Sequence, residues 1–179
     1  MASHPPVAVY DACVLYPFHL RNILIQCAPC AVDGLVEARW TDDIHDEWMS
    51  NLAANTPGLS IKRLEATGDQ MNAVLPKAGV ADYRPLIADL TLPDPDDRHV
   101  LAAAIAGQAS VIVTWNLKDF PARHLLVRGV ISRSPDDFLT DLHATFPDAL
   151  ISSVRVRGLI CAKQLHLGRC SSTRFNKSG

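Results

Sequence analysis

The run SVIVTW, residues 110–115, sets apolar and β-branched residues side by side with no polar break until its end. A strand with one face in water alternates apolar and polar side chains, so a continuous run demands cover on both faces, which a parallel sheet between helices provides. Val7 to Tyr10, VAVY, makes the same demand and stops at Asp11. LVEARW (35–40) and the start of VISRSPDDFL (130–139) read as two further short strands. Helical segments lie between them. Leu20 to Cys27 is apolar enough for one. In TDDIHDEWMSNLAAN, Thr41 caps a helix whose Ile44, Trp48 and Leu52 recur every four residues. Residues 60–75 and about 95–107 supply two more, and Ser134 with Pro135 opens a last one. KAGVADYRP reads as a connection to the edge of the sheet. Strands alternating with helices predict an α/β fold with a mostly parallel central sheet flanked by helices.

With 179 residues, 48% of them hydrophobic, the chain suits one compact domain over residues 1–150, followed by a basic tail over 151–179 that is partly helical or loose. Charge is divided the same way. All nineteen acids fall at or before Asp148, with eleven of the seventeen Lys and Arg, so the body carries −8 and the remainder +6. Net charge therefore gives no general attraction for polyanions. No uninterrupted run approaches the ~18 apolar residues of a membrane span, and the N-terminus lacks a basic stretch followed by an apolar one. The expectation is a cytoplasmic protein without membrane association. Five cysteines, an odd number, indicate reduced thiols rather than a disulfide framework. CAPC, Cys27 to Cys30, has redox or zinc spacing, but no strand precedes it and no second pair accompanies it, so it reads as small residues near a helix end.

TLPDPDDRHVLAAAIAG, residues 91–107, concentrates negative charge beside a segment ready for burial. Asp94 can cap the helix, Pro95 suits its first position, and Asp96 and Asp97 sit at the positive end of its dipole. Capping does not account for Asp97, because Val100, Leu101 and Ala104 follow at i+3, i+4 and i+7 and place it at the head of the buried stripe. Glu47, about 60° from Ile44 on its own helix, lies at the rim of a similar stripe. Asp11 and Asp119 follow strands, and in a parallel sheet the connections beyond the strand C-termini reach one crevice. Four carboxylates gathered there need compensation, since two of them about 4 Å apart repel by roughly 4 kcal/mol at an effective dielectric of 20. Hard oxygen donors without a Cys/His set favour Mg²⁺ or Mn²⁺, and the chemistry indicated is metal-assisted hydrolysis.

VAVYDACVLYP, ARWTDDIHDEW, DPDDRHVLAAAIAG and VIVTWNLKDFP, in this order, resemble the PIN domain, specifically the branch related to toxins of bacterial toxin–antitoxin modules. The resemblance covers about residues 7–145. It implies a three-layer sandwich and a Mg²⁺- or Mn²⁺-dependent endoribonuclease, with an RNA substrate, an antitoxin partner and a homodimeric state. Asp11, Glu47, Asp97 and Asp119 match the family's acidic quartet. Asn116 stands where many members carry an acid, and Thr114 matches a small polar residue that orients an acid. The basic end of this chain departs from the helical continuation common in relatives.

Each residue also has a plainer reading. Asp11 can form a turn, Glu47 can belong to a surface face, and Asp119 can cap the turn before Phe120. Asp96 is a cap or an outer group of the site. Arg21, Arg98 and His99 are candidates for contact with phosphate or a metal-bound water, although a solvated helix face suits Arg98 and a lone histidine makes no metal site. Trp48 is in register with the core, which leaves Trp115 as the tryptophan suited to stacking on a base. Two rival functions remain. In a haloacid-dehalogenase or receiver type, Asp11 would accept a phosphoryl group held by Thr114 and Lys118, yet position 13 is Cys where the first type needs an acid. A PIN scaffold that binds RNA or protein without cutting is the other.

Overall fold

In the computed structural model, residues 5–28 and 35–153 are described; Cys30 and the basic segment from residue 154 lie outside them. Four strands form one sheet in the order β2-β1-β3-β4: β1 (Val7–Tyr10), β2 (Glu37–Arg39), β3 (Val111–Val113) and β4 (Ile131–Arg133). Every pairing is parallel. Val7 faces Glu37, Tyr10 faces Val113 and Val111 faces Ile131. Ala8, Val9 and Tyr10 are all buried, as are the three residues of β3. Successive side chains of a strand point to opposite faces, so both faces of the central pair are covered, as the unbroken apolar runs require. On one face Tyr10 donates its hydroxyl to the Leu24 carbonyl and meets Phe138 edge-on.

The helices are α1 (Ala12–Leu15), α2 (Phe18–Cys27), α3 (Asp42–Asn55), α4 (Ile61–Val74), α5 (Arg98–Ala106), α6 (Ala122–Leu125) and α7 (Pro135–Thr145), with 3-10 turns at Arg84–Asp89 and Leu126–Arg128. Thr41 caps α3 by accepting the Ile44 amide, and Ser134 caps α7 by accepting that of Asp137, with Pro135 opening the helix. Ile44 and Trp48 are fully buried, which fits the four-residue period of α3. The connection after α4 reaches the sheet edge through a parallel bridge between Trp40 and Gly79.

The α/β architecture with a parallel sheet matches expectation; two boundaries differ, and two short helices were not expected. The helix expected from Pro95 begins at Arg98, because Asp94 accepts the Asp96 amide at 2.9 Å and so closes a local turn instead of capping a helix. The strand expected over 110–115 pairs only over Val111–Val113. Helices α1 and α6, one turn each, are too short to show a period.

Candidate active site

Strands β1 and β3 are neighbours running the same way, so the residues just beyond their C-terminal ends meet. Asp11 follows one and Thr114 the other. The Asp11 amide donates to the Val113 carbonyl at 3.1 Å. Its Oδ2 accepts the Thr114 hydroxyl at 2.6 Å and the Cys13 thiol at 3.1 Å. Thr114 Oγ1 in turn accepts the Asn116 amide at 2.9 Å, and Cys13 Sγ accepts the Trp115 amide at 3.3 Å. One carboxylate oxygen thus laces two strand ends together. Asp11 is 2% exposed; burial pushes its pKa up, the Thr114 and Cys13 bonds hold it back, and the charge on Glu47 raises it further. Burial beside this carboxylate pushes the Cys13 thiol to about 12, so it serves as a protonated donor.

Asp97 occupies the N-cap position of α5 but makes no capping bond. It is half-buried, and its pKa is raised to about 7, first by burial and then by the charges of Asp11, Asp94, Asp119 and Glu47. Acids separated by up to 108 positions in the chain therefore share one electrostatic neighbourhood. Asp119 is held in the turn after β3 by its own amide, which donates to the Asn116 carbonyl at 2.9 Å. Lys118 Nζ lies 4.0 Å from Asp119 Oδ2, but its side chain is so exposed that water screens the pair. Glu47 comes from α3, its Oε2 3.3 Å from His99 Nε2, within ion-pair range but not aligned as a hydrogen bond. The other ring nitrogen of His99, Nδ1, lies 2.7 Å from the Asp96 carbonyl. With an oxygen against each nitrogen, both favour carrying protons. Burial opposes the imidazolium, yet Glu47 and the Asp96 carbonyl outweigh it and raise the His99 pKa above the ordinary value.

Asn116 and Asp96 are exposed, and their backbones tie them to Thr114 and His99. Arg21 is drawn elsewhere. Its buried guanidinium donates to the Leu15 and Tyr16 carbonyls at the end of α1 and lies 4.6 Å from the centre of the Trp48 ring. It therefore holds α1 and α2 to α3. Arg98 also departs from the solvated face expected of it, being half-buried with Nε withdrawn from water. Cys13, not singled out for a part in the acidic site, and His99, considered only for phosphate or a metal-bound water, contact its acids directly. Cys13 carries a local signal, since i+2 from a strand-ending Asp turns its side chain back to the carboxylate. The Glu47 contact of His99 depends on how α3 packs against α5 and has none.

Among the described residues no three Asp, Glu, His or Cys side chains stand close enough to hold one ion directly. Mg²⁺ and Mn²⁺ fit such a site all the same. The donors are carboxylate oxygens, burial and then the charges of the neighbouring acids raise the Asp97 pKa to about 7, and Mg²⁺ commonly binds through one or two carboxylates while keeping several waters.

A family model described as "PIN domain" matches residues 7–118. A curated Mycobacterium tuberculosis protein named "Putative ribonuclease VapC50" is 56% identical over 45 residues, 25% of this chain and 27% of the relative. The match thus spans about a quarter of that relative's length. No solved structure matches.

Proposed function

Because the chain belongs to the PIN domain family, we propose that it is a metal-dependent endoribonuclease, the toxin component of a toxin–antitoxin pair. The observation that carries the reading is the shared electrostatic neighbourhood of Asp11, Glu47, Asp97 and Asp119 at the C-terminal edge of the sheet, where burial first and then the neighbouring charges raise the Asp97 pKa to about 7. The match to a protein named as a ribonuclease supports the same chemistry. The four carboxylates would hold Mg²⁺ or Mn²⁺, partly through its waters. When bound, such an ion lowers the pKa of a water and offsets charge on the phosphodiester. The rest falls to the chain. Thr114 and Cys13 donate to Asp11 Oδ2, which favours its ionised form and aims the carboxylate. His99 holds Glu47 through charge and is itself anchored on the Asp96 carbonyl. Asn116 carries the turn that presents Asp119. RNA is the substrate, a cognate antitoxin the partner, a homodimer the assembly and the cytoplasm the location in this reading. Among the described residues no helix is long and apolar enough to cross a membrane.

The test is cleavage of a mixed RNA pool with Mg²⁺ or Mn²⁺. Activity should vanish with EDTA and in Asp11→Asn and Asp97→Asn, both of which remove a charge with little change of volume and should stay folded by circular dichroism. Undiminished cleavage in both variants, or without metal, rejects the proposal.

A further inference from the structure

Trp40 and Trp48 are buried and spend their indole N–H groups on Asn72 Oδ1 and His45 Nδ1. Trp115 instead leaves 48% of its surface exposed. An indole in water forgoes the free energy that burial would return, at roughly 25 cal/mol per Å² of apolar surface. Among the described residues this ring joins no aromatic or cation–π pair. Its backbone, however, is fixed. The Trp115 amide donates to Cys13 Sγ at 3.3 Å, and the same thiol donates to Asp11 Oδ2 at 3.1 Å. On the flanks, Thr114 binds Asp11 and the Asn116 amide binds Thr114. An exposed ring is thus carried at a set offset from the buried carboxylate.

The surrounding charge indicates what such a ring is suited to. Asp94, Asp97, Asp119 and Glu47 make the neighbourhood anionic, so a phosphate backbone gains nothing from these groups unless a cation intervenes. Lys118, the cation in this turn, sits beside Asp119 and is exposed. Stacking is indifferent to that field, and every base offers a π-face.

We propose that Trp115 is a base-stacking platform. It seats an unpaired nucleotide beside the phosphodiester presented to Asp11, with the Cys13 thiol as the positioning group that sets the offset. The proposal rests on the ribonuclease reading and adds to it the residue that grips the substrate.

The test uses a single-stranded RNA decamer with one cleavage site, and versions of it lacking one base at a time. Trp115→Ala should raise KM about 5- to 150-fold, the range for losing one stacked base, with kcat little changed, and Trp115→Phe should restore most of the affinity. In the wild type one abasic position should reproduce the KM increase, and in Trp115→Ala the same lesion should add nothing. Equal KM values for wild type and Trp115→Ala, or an abasic penalty that persists in the variant, overturn the platform. Cys13→Ser, whose hydroxyl can still donate and accept, should keep the sensitive position, whereas Cys13→Ala should shift it or spread it over neighbours; an unchanged pattern in Cys13→Ala removes the positioning role. If the wild type cleaves no RNA, the ribonuclease reading fails by itself. Acrylamide quenching then decides, because Trp115 is the exposed tryptophan and an excess of decamer in Mg²⁺ must shield it; unchanged quenching overturns the platform.

Discussion

Asp97 carries the largest consequence of the site at the scale of one residue. Its folded pKa, about 7, stands above the ordinary aspartate value near 4. Between those two values the folded chain holds a proton that the unfolded chain has released. Its stabilising contribution is therefore complete below about pH 4 and is lost as pH rises through about 7. Without metal, Asp97→Asn should gain in Tm relative to wild type as pH is raised from 5 to 8. A difference in Tm that stays flat with pH would show that neither burial nor the neighbouring charges raise the Asp97 pKa. Bound Mg²⁺ reverses the preference, because it favours the carboxylate and expels the proton. Mg²⁺ at ten times its Kd should stabilise the wild type by about 1.4 kcal/mol, and Asp97→Asn should lose most of that gain. Both measurements need only thermal melts in EDTA and in Mg²⁺.

Helix α5 joins the site to the scaffold, with Asp97 at its head and Gly107 at its end. A Cβ at Gly107 would stand 2.9 Å from both the Ala103 carbonyl oxygen and Val80 Cγ2. The backbone there is unstrained, so close approach alone requires the glycine. Gly107→Ala should cost about 1–3 kcal/mol, a fall in Tm of roughly 2–4 °C per kcal/mol for a domain of this size. Because the substitution lies at the far end of the helix from Asp97, cleavage at 25 °C should persist. A Tm equal to that of the wild type would mean that α5 and the Gly79–Val80 segment do not pack this closely. The elements also show what the chain makes legible. β1, β3 and α3 were readable because burial on both faces, or along one stripe, writes itself into consecutive residues. The head of α5 was not, since Asp94 satisfies an amide two residues on and delays the helix to Arg98. The four candidate acids, Asp11, Glu47, Asp97 and Asp119, were drawn from strand ends and helix stripes. The Cys13 contact with Thr114 joins residues 101 positions apart, and that of His99 with Glu47 follows from helix packing, so no local pattern announces either.

Over the whole molecule, charge and the proposed RNA substrate are at odds. The sequence through Asp148 carries −8 and the residues after it +6, and the acidic crevice belongs to the negative part. Single-stranded RNA binding that depends on Z phosphate contacts weakens with salt at a slope of about −0.7Z in log–log form. If metal and stacking on Trp115 hold the substrate, a short strand that fills the crevice alone should show a shallow slope, set by one or two cations such as Lys118. The residues after Asp148 add six cations, Arg155, Arg157, Lys163, Arg169, Arg174 and Lys177, and a long RNA has more phosphates to offer them. Its slope should be steeper, by up to about 4 if all six engage. Changing those six to Gln should remove the difference between long and short substrates while leaving kcat/KM for the decamer within about twofold. The measurement is kcat/KM for both substrates from 50 to 300 mM KCl at constant Mg²⁺. A steep slope for the decamer in the neutralised chain would contradict this division of labour. It would mean that the body, despite its net charge, gathers enough cations around the crevice to bind phosphate without help from the ring at position 115.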